Sequence, residues 1–221
     1  MDYSIVLPLI SGLAWTVVYI ECVRLGFRDK TYAMPFWALS LNLAWEGIFT
    51  VLGYQEVGMS LPVIVNATWL FLDLIVVYTF FKFGYKEFPG DLSKNAFYAW
   101  GLFGITVSFV LLLQFVREFG LIMGGSYAAF LQNMIMSILF LHMLAHRGNS
   151  KGQSLLIAIL KMVGTLAATV LYGIIGKEEL GGPNSLILLC GVLIFIFDSI
   201  YFVFLKSQIQ KNKSPVANQP K

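Results

Sequence analysis

Long apolar runs follow one another along almost the whole chain, at about 4–23, 34–53, 62–81, 96–116, 121–145, 154–175 and 184–205. Wound as an α-helix, a run of roughly 20 residues spans the hydrocarbon core of a bilayer. The segments between the runs are too short to hold a soluble domain. Only 12% of the residues are charged and 58% are hydrophobic, whereas soluble domains carry about a quarter charged residues. A water-soluble fold could not cover that much apolar surface. The expected fold is therefore all-α: a polytopic membrane protein with a single seven-transmembrane-helix domain over 1–205. A basic tail over 206–221, with Lys211, Lys213, Pro215 and Pro220, is expected to lack fixed structure. The first run is too long for a cleavable signal peptide and lacks its basic start, so it is expected to be a retained helix.

The basic residues orient this bundle. Arg24, Arg28 and Lys30 fall after the first run, and Lys82, Lys86 and Lys94 after the third. Arg147 and Lys151 follow the fifth, and Lys206, Lys211, Lys213 and Lys221 follow the seventh. The alternate loops hold only Arg117 and Lys177. Basic residues collect on the cytoplasmic side of membrane proteins, so the N-terminus is expected outside and the C-terminus in the cytoplasm. The net charge of +3 thus reflects orientation, and no nucleic-acid partner is expected. Gly120 and Gly124 form a GxxxG spacing, which serves either a dimer seam or close packing inside the bundle.

Ionisable residues at membrane depth are costly and mark function or a structural partner. Five qualify: Glu21, Glu46, Asp73, Lys161 and Asp198. Glu21 is within a turn of the cytoplasmic end and three residues from Arg24, so it can snorkel or pair. Glu46 lies about eight residues, or roughly 12 Å, inside the second run. Asn42, Trp45, Glu46 and Phe49 share one face there through their i, i+3, i+4, i+7 spacing. Asp73 stands mid-run below Asn66 and Trp69, and Asp198 lies among Phe195, Tyr201 and Phe202. Lys161 is at a depth like that of Asp198, which makes Asp198 its better-matched partner and Asp73 the other option. An acid paired with Lys is held ionised, while a carboxyl without a partner in an apolar pocket can keep its proton and serve as a general acid.

Deep aromatics such as Trp45, Trp69, Tyr127, Tyr172 and Tyr201 suit packing, and beside carboxyls their π faces can also stabilise cations. Tyr3, Trp37, Tyr54 and Trp100 sit near run ends, as interfacial belts do. Cys22 and Cys190 lie inside apolar runs and read as packing residues. His142 and His146 have a metal-compatible spacing but no third ligand nearby, so no metal site is expected. No Lys for a retinal Schiff base stands in the last run. No Walker loop, GxSxG, HExxH or DDxxD-type cluster occurs, which argues against magnesium-assisted diphosphate ionisation.

The block Asp29-Lys30-Thr31-Tyr32-Ala33-Met34, followed by Asn42-x-Ala44-Trp45-Glu46 and a late Asp198-x-x-Tyr201, resembles the membrane-bound terpene cyclases of fungal meroterpenoid and indole-diterpene pathways, which have bacterial relatives. The resemblance extends over nearly the whole chain. It implies cyclisation of a prenyl chain or its terminal epoxide, started by carboxylic-acid protonation and carried by a carbocation, without metal or other cofactor. It implies that Glu46 and Asp198 match the family's two essential acidic positions, with Asn42 and Trp45 as flanking motif residues. The catalytic pair is then Glu46 and Asp198. Asn42, Trp45, Trp69, Asp73 and Tyr201 are the substrate-binding candidates, Asp73 on the membrane-charge argument alone. The partners would be membrane lipid and a lipophilic prenylated substrate, and the setting a bacterial inner membrane or the endoplasmic reticulum.

Buried Glu, Asp and Lys also build the proton relays of small transporters. Carriers favour internal repeats and broken helices, and the runs here read as continuous. A membrane scaffold is the third reading, for which acids at several depths would serve no purpose.

Overall fold

The structure, a computed structural model, describes residues 3–88, 90 and 92–213. Six helices are long and apolar enough to cross a membrane. They are α1 (Tyr3–Asp29), α2 (Phe36–Val57), α3 (Leu61–Phe83), α4 (Lys94–Arg147), α5 (Leu155–Thr169, continued by a π-helical turn at Val170–Ile175) and α6 (Ser185–Lys213). Their outward faces are greasy: Leu13, Leu102 and Val110 each expose more than 60% of their surface. The mid-span ionisable and amide groups Asn42, Glu46, Asp73, Gln132, Asn133, Lys161 and Asp198 are buried instead. That inversion of the soluble pattern is what lipid as a solvent selects.

The expected count of seven differs from these six at α4. This element has 54 residues, about 80 Å if it were straight and far more than a bilayer core. It is not straight. Gly120 has φ 74° and ψ 174°, a conformation closed to residues with a side chain. Residues nine apart in a continuous helix lie about 13 Å apart. Here a Cβ added to Gly124 would meet the Phe115 carbonyl oxygen at 2.6 Å. The chain doubles back at Gly120, and Gly124 packs inside the resulting hairpin. The GxxxG spacing is thus used within the chain.

The helices close into a ring. In order around it, α1 packs on α3, α3 on α2, α2 on α4, α4 on α6, α6 on α5, and α5 on α1. One end of the ring is tied by the basic residues. Arg147 donates to Glu87 at 2.7 Å, to the Tyr32 carbonyl at 3.0 Å and to Thr31 at 3.1 Å, while Thr31 also bonds Glu87. The Arg147 guanidinium lies 4.4 Å from the centre of the Tyr32 ring. The Gly152 amide donates to Asp29 at 2.8 Å. Gly152 adopts φ 67°, and a Cβ there would press to 2.8 Å from the Tyr32 carbonyl. So the Asp29–Met34 block is a clasp between loops, and Glu21 pairs with Arg24 at 2.6 Å beside it. The tail departs from expectation, because α6 stays helical to Lys213. Residues 214–221 lie outside the described residues.

Candidate active site

Inside the ring is a cavity of about 410 Å³, within the range of small-molecule sites. Its wall is built by α1, α2, α3, the second half of α4 and the α5 end. The wall extends from Tyr19, Asn42 and Met136 to Val57, Ser60, Leu121 and Tyr172. The cavity therefore reaches towards the end where α2 turns into α3 and α4 doubles back, away from the basic clasp. Trp15, Trp45, Phe49, Trp69, Phe130 and Tyr172 present aromatic surface. Among the described lining residues, Glu46 is the sole Asp, Glu, Lys, Arg or His side chain.

A polarised hydrogen-bond chain holds that carboxyl. Gln132 on α4 donates to the Asn42 carbonyl oxygen at 3.2 Å. Asn42 donates to the Tyr19 hydroxyl at 2.8 Å, and Tyr19 donates to Glu46 Oε1. Each donor points the next towards the carboxyl, an arrangement that strengthens along a chain. The second oxygen, Oε2, is buried and has no such donor. Trp45 donates its indole N–H to the Gly125 carbonyl at 2.9 Å, and Trp69 donates to Thr16 at 2.9 Å. Both rings are thereby fixed as wall.

Four of the seven site residues read from the sequence meet here: Glu46, Asn42, Trp45 and Trp69. Three do not lie on the cavity wall. Asp73 is fully buried behind Glu46, with which it interacts directly. Asp198, matched to Lys161 by depth in the sequence and also expected to share the chemistry with Glu46, faces Lys161, whose Nζ lies 2.6 Å from Oδ1 and 2.8 Å from Oδ2. Lys161 also donates to Ser137 at 2.6 Å, and both charged side chains are wholly buried. Tyr201, expected to bind substrate, donates to Gln153 at 3.1 Å near the clasp. Among the described residues α6 contributes nothing to the wall.

Sequence reasoning passes over Trp15, Tyr19, Gln132, Asn133 and Thr165, all of which line the cavity. Signals for them exist. Trp15 and Tyr19 stand at i and i+4 on one face of α1. Gln132 and Asn133 are adjacent amides in mid-span, where a polar group needs a partner on a neighbouring helix. Asn133 finds one in Thr165 at 2.7 Å. His142 and His146 stack with ring centres 5.9 Å apart. Among the described residues no three His, Cys, Asp or Glu side chains gather as a metal-binding group.

Fold and cavity together define a multi-pass, membrane-embedded helical protein with one carboxyl presented to an aromatic chamber. The chain belongs to the Pyr4-like transmembrane terpene cyclases, whose family model matches residues 3–211. It is 30% identical to the Pyr4-family terpene cyclase mfmH of Annulohypoxylon moriforme over 168 residues, covering 75% of this chain and 68% of that one. It is 29% identical to the terpene cyclase cle7 of Aspergillus versicolor over 171 residues, covering 72% of this chain and 66% of that one. Identity to the terpene cyclase pyr4 of Aspergillus fumigatus is 24% over 203 residues, covering 89% and 83%. No solved structure matches the chain. The proton-coupled carrier suggested by the buried charges is not favoured by this membership.

Proposed function

We propose that this protein cyclises a lipophilic prenylated compound, or its terminal epoxide, by proton transfer from Glu46. One observation carries the reading: among the described lining residues Glu46 alone brings an acidic group to the aromatic cavity, with Oε1 committed to Tyr19 and the buried Oε2 left without a donor. A proton on Oε2 passes to the epoxide oxygen or to the terminal alkene carbon. The broken C–O or π bond leaves a carbocation, which the chain's remaining double bonds capture in turn. Indole and phenol rings from Trp15, Trp45, Trp69 and Tyr172 stabilise the moving charge, and the closed ring of helices keeps water from quenching it. Loss of a proton at the end restores neutrality, so the product is an isomer of the substrate. The test is to incubate membranes containing the protein with linear prenylated compounds and their terminal epoxides, in the presence of a chelator. A new product of unchanged mass and altered retention is the expected result. Conversion that stops on chelation and returns with metal would overturn the proton-initiated mechanism.

Seven spans belong to the same reading, with each half of α4 crossing separately, the N-terminus outside and the basic clasp in the cytoplasm. The reversal at Gly120 and the one-sided distribution of Lys and Arg support it. Cys22 and Cys190 are buried, so single cysteines introduced at the surface report cleanly. In intact cells a membrane-impermeant maleimide is expected to label Met59→Cys, at an exposed position beside the α2–α3 turn, and to spare Lys151→Cys until the membrane is opened. Labelling of both from outside would mean that α4 crosses only once, and the reversed pattern would invert the orientation.

A further inference from the structure

The Glu46 carboxyl has a second acid behind it. Asp73, on α3, is fully buried, and neither of its oxygens receives a hydrogen bond from a donor among the described residues. The polar group they face is Glu46, across the α2–α3 contact, with the Tyr19 hydroxyl and the Cys22 thiol also nearby. Lys161 is committed to Asp198 and Ser137, and among the described residues no counter-ion faces Asp73. Two carboxyls in contact become a hydrogen bond only when at least one of them carries a proton. A buried polar group left without any partner is costly. The arrangement is therefore satisfied by a proton held between the two acids, and such a pair behaves as one unit.

Resting on the reading of Glu46 as the proton donor, we infer that Asp73 is its positioning residue and proton store. Asp73 does not touch the cavity, so substrate meets Glu46 alone. Before turnover both acids are protonated, Glu46 carrying the transferable proton and Asp73 the second, and Tyr19 fills Glu46 Oε1, which confines the transferable proton to Oε2. On transfer the Glu46 O–H bond breaks, and a new O–H or C–H bond forms on the substrate. The carboxylate left on Glu46 accepts a hydrogen bond from the Asp73 carboxyl, whose remaining proton spreads the single negative charge over the pair. When the final carbocation loses its proton, the C–H electrons become the product double bond and the pair regains one proton. The cycle balances with no outside donor. The geometry also explains why an acid so deep in lipid lacks a basic partner: a Lys or Arg beside Asp73 would strip the pair of its proton.

The test uses the full-length protein in membranes, with Asp73→Asn and Asp73→Glu beside Glu46→Gln. Asn keeps the volume but cannot store a proton, and its amide N–H donates to Glu46 and favours the carboxylate. The expected result for Asp73→Asn is a fall in kcat of about 100-fold, the lower range for loss of a general acid, with KM within about twofold of wild type. Asp73→Glu, which restores a carboxyl, is expected to recover part of that loss. Infrared spectra should show a protonated-carboxyl band in the wild type that is altered in both Asp73→Asn and Glu46→Gln. Unchanged kcat in Asp73→Asn would overturn the inference. So would a loss that follows reduced folded protein while the carboxyl band stays as in wild type, for that marks a packing role. An inactive Glu46→Gln beside a fully active Asp73→Asn sinks only this inference, whereas an active Glu46→Gln sinks the reading on which it rests.

Discussion

Glu46→Gln is expected to lower turnover by 10²- to 10⁴-fold, the span typical of a removed general acid, or about 3–5 kcal/mol of transition-state stabilisation. The substitution is well suited to isolate chemistry from folding. Gln keeps the length and shape of Glu, and its carbonyl oxygen can still accept the Tyr19 hydroxyl that now reaches Oε1. The chain from Gln132 through Asn42 to Tyr19 therefore survives. Only Oε2 changes, from a group that can release a proton to an amide N–H that cannot. Substrate binding depends on the aromatic wall, so KM should move little while kcat collapses. That split identifies an interaction made in the transition state and absent from the ground state. The measurement is isomer formed per unit of folded protein in the membrane, across a range of substrate concentrations. Turnover like that of the wild type would remove Glu46 from the mechanism and leave the cavity without an acid among its described lining residues.

Much of this site is legible in the order of the amino acids. The i, i+4 relation of Asn42 and Glu46 puts both on one face whatever the rest of the chain does. A carboxyl about 12 Å inside a span must turn inward. Trp69 and Asp73, four apart on α3, follow the same logic, yet only Trp69 reaches the cavity. Periodicity says which residues share a face. It does not say how the helix is rotated by the few degrees that separate a wall residue from one behind the wall. Tyr19 shows a second limit. Its role depends on α1 passing beside α2 across the ring, a contact between residues 27 apart in sequence that no local pattern encodes. The spans themselves are legible because hydrophobic length is a one-dimensional property. The fourth and fifth apolar runs part near Gly120, while hydrogen bonding carries helical geometry almost unbroken through the turn. A hairpin this tight needs only one residue with a positive φ, so it leaves almost no polar loop to read. The clasp shows in the sequence only as part of a family resemblance. Asp29, Thr31 and Tyr32 acquire meaning from Arg147 and Gly152, more than a hundred residues away.

The Lys161–Asp198 pair is expected to give the largest effect on folding, and it separates two explanations of why an acid at position 198 matters. Both side chains are wholly buried, 2.6 Å apart, and Lys161 also holds Ser137, one helical turn from the cavity residue Asn133. Removing one member of a buried pair leaves an uncompensated charge, which costs about 3–5 kcal/mol, whereas replacing both with apolar groups of similar volume is often neutral. Asp198→Leu and Lys161→Met should each reduce the folded protein recovered from membranes. The double variant should restore it. If Asp198 acts only by setting α6 against α4 and α5, the double variant also regains cyclase turnover, to within about tenfold of wild type, because its cavity wall is intact. If Asp198 takes part in proton transfer, the double variant folds and stays inactive. The first outcome is favoured by geometry: Asp198 is off the wall, and its carboxylate is engaged by the Lys161 ammonium. A position can then be indispensable to catalysis through the helix it fixes. On that view the acid chemistry belongs to α2 and α3, where Glu46 meets Asp73, and α6 holds the ring closed around it.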